Sequence, residues 1–142
     1  MNLLNSALAV AGIAVLAACS TTTTLAPTNA NPASEGKVRV SEGPNGNTKV
    51  EVTLDHLPNP RALDPTYATY VVWIKPDERG QFMNMGQVAI NDEREGRLET
   101  ITPLHRFTLV VTAEPDATAT TPSGAIMLRG DVERSSPRRA RN

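Results

Sequence analysis

Lys49-Val50-Glu51-Val52-Thr53-Leu54 alternates polar and apolar side chains without a break. A period of two is the mark of a β-strand with one face in a core and the other in solvent. Upstream, Lys37-Val38-Arg39-Val40 alternates in the same way. Glu42-Gly43-Pro44-Asn45-Gly46-Asn47 lies between them. Proline presets φ and Asn-Gly accepts positive φ, so the two segments are expected to pair as a hairpin.

Downstream, Pro58, Pro60 and Pro65 forbid a ladder, and the stretch predicts a crossover loop. Tyr67 to Ile74 follows, apolar on both alternating faces as a central strand would be, and places the single tryptophan, Trp73, in the core. Pro76-Asp77-Glu78-Arg79-Gly80 turns the chain. Gln81 to Ile90 continues it, with Gly86 expected at a bulge or break. Asn91 to Gly96 is a polar turn and Arg97 to Ile101 a short strand. Arg106 to Ala113 reads as a second central strand and Ala125 to Val132 as the closing one. About seven short strands without sustained helical periodicity predict an all-β fold, a single small antiparallel immunoglobulin-like β-sandwich over residues 37–133.

The N-terminal region has a different character. An apolar run from Ala7 to Ala18 is shorter than the roughly 20 residues needed to cross a bilayer, and suits a secretory leader. Met1 to Asn5 lacks the Lys or Arg usual at the start of one. The run ends in Leu16-Ala17-Ala18-Cys19, which contains the only cysteine of the 142 residues. These four residues resemble the lipobox of bacterial lipoproteins. That resemblance implies cleavage between Ala18 and Cys19 and acylation at Cys19, with residues 1–18 as the leader. It also implies a place in the cell envelope, with Ser20 favouring the outer membrane of a Gram-negative cell. Ser20 to Gly36 is rich in Thr, Pro and Asn, and residues 19–36 are expected to form a lipidated N-terminus and flexible tether with a reach of about 20–25 Å. At the other end, residues 134–142 hold Arg134, Arg138, Arg139 and Arg141 and predict a frayed basic tail, with anionic head groups or other envelope polyanions as a possible contact. The formal net charge of −1 does not suggest nucleic acid as a partner.

A second resemblance covers most of Val50 to Gly130. The segments Leu57-Pro58, Tyr70-Val71-Val72-Trp73-Ile74, Met85-Gly86, Phe107 to Pro115 and Thr121-Pro122-Ser123-Gly124 look like the extracytoplasmic domain of anti-sigma-K-type regulators. It implies a sensor-like or interaction-type sandwich outside the cytoplasm. Sigma-factor binding is not carried over, because the sequence contains no counterpart of their cytoplasmic module and spanning helix.

The residues offer little chemistry. His56 and His105 lie far apart in sequence and lack the convergent spacing of a metal site, so no metal and no cofactor is expected. Asp92, Glu93 and Glu95 lack the ladder of a calcium loop. No Gly-x-Ser-x-Gly and no phosphate loop occurs. The expectation is therefore a non-enzymatic module, membrane-bound through its lipid. Its binding loops would be Pro58 to Thr66 and Glu114 to Gly124, with Pro58, Arg61, Asp64, Glu114, Pro115 and Pro122 as candidate contacts. The competing expectation is an envelope hydrolase or metal-dependent enzyme with a site near Asp55, His56 or His105.

Overall fold

The computed structural model describes residues 19–135. The expected leader, residues 1–18 with Ala18, lies outside the described residues, as do residues 136–142. The fold is nearly all β. Its strands are β1 (Thr21–Pro27), β2 (Glu35–Glu42), β3 (Thr48–Asp55), β4 (Thr69–Lys75), β5 (Met83–Val88), β6 (Gly96–Thr102), β7 (Arg106–Glu114) and β8 (Ile126–Glu133), with one helical turn, α1 (Pro60–Leu63), before β4. They form one antiparallel sheet in the order β5-β4-β7-β8-β1-β2-β3-β6.

The alternation of Lys49–Leu54 has the expected consequence. Val50, Val52 and Leu54 of β3 point inward beside Val38 and Val40 of β2, all fully buried. They meet Tyr70, Val72 and Ile74 of β4 and Phe107, Leu109 and Val111 of β7 in one core. Burial of each such side chain contributes about 1.5–3 kcal/mol. The β2–β3 hairpin turns through Asn45 (φ 58°) and Gly46 (φ 76°), the two positions expected to take positive φ. Gly86 (φ 135°) sits at a bulge, where Val72 pairs with Gly86 but Trp73 pairs with Asn84.

Residues 20–36 correct the expected tether. Thr21–Leu25 pairs with β2, and Ala26 and Pro27 pair with β8. Leu25 is buried in the core. Thr is a poor residue for a core but a good one for a half-buried strand, because its β-branch suits the pleated backbone. The domain therefore begins at β1, and only residues 28–34 remain as a connection. The expected tail is also corrected at its first residue. Arg134 is buried, with its backbone N–H donating to His105 O at 2.8 Å and its guanidinium donating to Gly46 O at 3.2 Å.

The registers sort the connections into two poles. Residues 28–34, 56–68, 89–95 and 115–125 lie at one end of the strands. Residues 43–47, 76–82 and 103–105 lie at the other, together with both ends of the described chain. There Thr21 pairs with Val40, and its hydroxyl is 3.1 Å from that of Ser135.

Trp73 is fully buried, but on the opposite face of β4 from the main core. With Val71 and Val110 it forms a second cluster against which Phe82 and Ala119 pack. The 115–125 connection therefore covers the outer face of β4 and β7.

Candidate functional site

The loop pole carries a cleft of about 780 Å³. Pro58 and Arg61 form one wall, while Gln87, Ile90, Asp92 and Arg94 face them from β5 and the turn after it. Local chemistry fixes the first wall. The Asn59 side chain accepts from Arg61 N–H at 3.0 Å and caps α1, whose Pro60 needs no donor at its first position. The buried Tyr70 hydroxyl donates to Pro58 O at 2.6 Å and clamps the loop to β4. Burial holds the Tyr70 phenol well above its ordinary range.

Two guanidinium groups and one carboxylate line this cleft among amides and aliphatic carbons. Its lining contains no His, Cys or Ser; Thr69 carries its one hydroxyl and Asp92 its one carboxylate.

Of the expected loop contacts, Pro58 and Arg61 thus meet at the cleft. Asp64 does not line it. Its carboxylate accepts from the Thr66 hydroxyl at 2.7 Å and the Thr66 N–H at 2.8 Å, and these bonds hold it below the usual range. Glu114 overturns its assignment altogether. It is the last residue of β7 and fully buried, not a loop contact. Its carboxylate accepts from Thr112 Oγ1 (2.6 Å), Ser123 Oγ (2.6 Å), Ser123 N (2.9 Å) and Gly124 N (3.2 Å). Burial alone would raise its pKa, but these donors outweigh it and hold the carboxyl below its ordinary value. Asn84 Nδ2 donates to Ala117 O and Ala119 O. The connection bearing Pro115 and Pro122 is therefore pinned over Trp73.

The two histidines lie at opposite poles. His105 Nε2 is 2.9 Å from Arg134 Nη2, and since a guanidinium can only donate, the ring nitrogen accepts. His56 follows the far end of β3. The eight residues of that strand separate them by roughly 25 Å at about 3.3 Å per residue. No single site can contain both.

His56 instead meets Asp55 and Glu35. Its Nδ1 is 3.6 Å from Asp55 Oδ1 and 3.9 Å from Glu35 Oε1. Glu35 escaped the sequence reading because the residue after it is Gly36, which hides the alternation. A Cβ there would come within 2.9 Å of both Leu25 and Leu128, so the inward slot of β2 is filled from neighbouring strands.

Cys19 is exposed, two positions before β1 and at the pole opposite the cleft. No family model, no curated protein and no solved structure matches this chain.

Proposed function

We propose that this chain is a lipid-anchored protein of the bacterial cell envelope. Its immunoglobulin-like β-sandwich would hold a non-catalytic recognition surface away from the membrane. The observation that carries the reading is polar geometry. Cys19 precedes β1 at one end of the strands, and the cleft between Arg61 and Arg94 opens at the other. A lipid on Cys19 would seat the turn-bearing pole at the membrane with almost no intervening chain and leave the cleft facing outward, toward an envelope protein or polyanion.

The sandwich assignment draws support from β1, whose first part pairs with β2 and whose last two residues pair with β8, as a strand switching between two layers would. The order β5-β4-β7-β8 is like C′-C-F-G of a variable-type immunoglobulin sheet, whereas β1-β2-β3-β6, with its β2–β3 hairpin, departs from A-B-E-D. The edge strands β5 and β6 form no ladder with each other, but Gly86 lies against the Leu98 side chain. Ser135, whose hydroxyl lies beside that of Thr21, places the last described residue at the anchor pole.

The test is Cys19→Ser in cells fed a labelled fatty acid. We expect loss of label and of membrane partition, with an uncleaved leader. Unchanged label and partition in the variant would refute the anchor.

A further inference from the structure

We infer that Glu35, Asp55 and His56 form a binding site for a first-row divalent metal ion of the zinc class, a role independent of the anchor and of the arginine-lined cleft. The three residues are brought together by strand pairing. Glu35 and Asp55 are directly opposite partners in the first rung of the β2–β3 ladder, and His56 is the next residue along. One ligand atom from each lies within 4.8 Å of the other two. Zinc held at about 2.0–2.1 Å in a tetrahedron spaces its ligand atoms by about 3.3–3.4 Å. The separations of 3.6 and 3.9 Å from the ring nitrogen lie slightly beyond that spacing.

The backbone under these side chains is already fixed. His56 N–H donates to Asp55 Oδ1 at 2.7 Å, and His56 O accepts from Asn31 Nδ2 at 3.3 Å. Like charges placed directly across a ladder repel one another. Lys37, the next residue on the same face as Glu35, makes no ion pair with either carboxylate among the described residues. A metal ion would supply positive charge between the two carboxylates. One imidazole with two carboxylates suits zinc and its neighbours better than calcium or magnesium, which prefer all-oxygen sets. All three side chains are exposed, so a bound ion would keep coordination positions for water or an outside ligand.

The chain has only two histidines, which makes His105 an internal reference. Zinc chloride titrated into the purified full chain, followed by NMR of the imidazole nitrogens and by calorimetry, should shift the His56 ring, leave His105 in place and saturate at one ion. Cys19→Ser should retain that binding, which separates it from the thiol. His56→Ala and Asp55→Asn should each weaken it by about tenfold or more, at least the loss seen when a supporting outer partner of a metal ligand is removed. Glu35→Gln provides a third variant at the other strand. Trp73 fluorescence monitors folding in all of them. No saturation at millimolar zinc, equal shifts of both rings, or unchanged affinity in His56→Ala would overturn the site. Failure of lipid labelling would leave it standing.

Discussion

Thr112 donates its hydroxyl hydrogen to Glu114 at 2.6 Å, and the same hydroxyl oxygen accepts from Trp73 Nε1 at 2.8 Å. A buried carboxylate is thus connected to the single indole through one side chain, and it grips Ser123 and Gly124 on its other side. No ion pair to Glu114 accompanies these bonds among the described residues. Such a group stabilises the fold only while every donor is in place, because an unpaired buried charge is costly.

Glu114→Ala should therefore cost about 2–3 kcal/mol, since it orphans the buried Thr112 hydroxyl and releases the less buried donors of Ser123 and Gly124, a fully buried donor costing about 1–3 kcal/mol. The Glu114 carboxyl is held below its ordinary value of 4.5, so its contribution is fully present above that value. It is lost as pH falls through the lower folded-state value. Urea titrations from neutral pH downward should show wild type losing this increment of stability in acid, and Glu114→Gln lacking that loss.

Gly124→Ala should lift the 115–125 connection from β7. A Cβ at Gly124 would collide with the Ala113 carbonyl oxygen, a backbone atom that no rotamer change can move. A cost of about 1–3 kcal/mol or more is expected from this overpacking. It should come with a red shift and stronger quenching of Trp73 emission as its cover loosens.

Tyr70→Phe removes the bond to Pro58 O and should cost about 1–2 kcal/mol. The Tyr70 phenol is raised in the fold from an ordinary value of 10.0. Its neutral form therefore contributes stability that is complete below about pH 10 and is lost as pH rises toward the folded-state value. Denaturation midpoints above pH 10 should fall less in Tyr70→Phe than in wild type. Hydrogen exchange of residues 57–68 should quicken in the variant.

Leu25→Ala separates a strand from a tether. Leu25 is 2% exposed, and its truncation should cost about 2–5 kcal/mol in a denaturant titration. A change near zero would place residues 20–36 outside the folded domain.

Where side chains alternate and the turn between them needs positive φ, the pattern in the chain is the structure. The pairing of Lys37–Val40 with Lys49–Leu54 through Asn45-Gly46 was legible for that reason. So was the bulge at Gly86, where a residue without Cβ interrupts a strand. The doubly apolar face pattern of Tyr67–Ile74 correctly marks a central strand, but it cannot say what covers each face. Trp73 faces the 115–125 connection because Glu114 and Asn84 pin that connection there. The Asn84 bonds join residues 33 and 35 positions apart, and the Glu114 bonds close only after the connection folds back on β7, so neither has a signature in the strand pattern.

The polar Thr run was the clearest miss. Thr21–Thr24 has the composition of a linker, and it becomes a strand only because β2 and β8 offer it hydrogen-bonding edges and a slot for Leu25. The register of β2 against β3 places Glu35 opposite Asp55, although they lie twenty residues apart in sequence. By itself the sequence determined an antiparallel all-β chain with one cysteine ahead of it, because periodicity, turn chemistry and residue counts are local properties. Tertiary structure alone decided which end bears the cleft, what buries Trp73 and Glu114, and which carboxylate meets His56. Those outcomes depend on strand order and register, which are set by burial summed over the whole sheet.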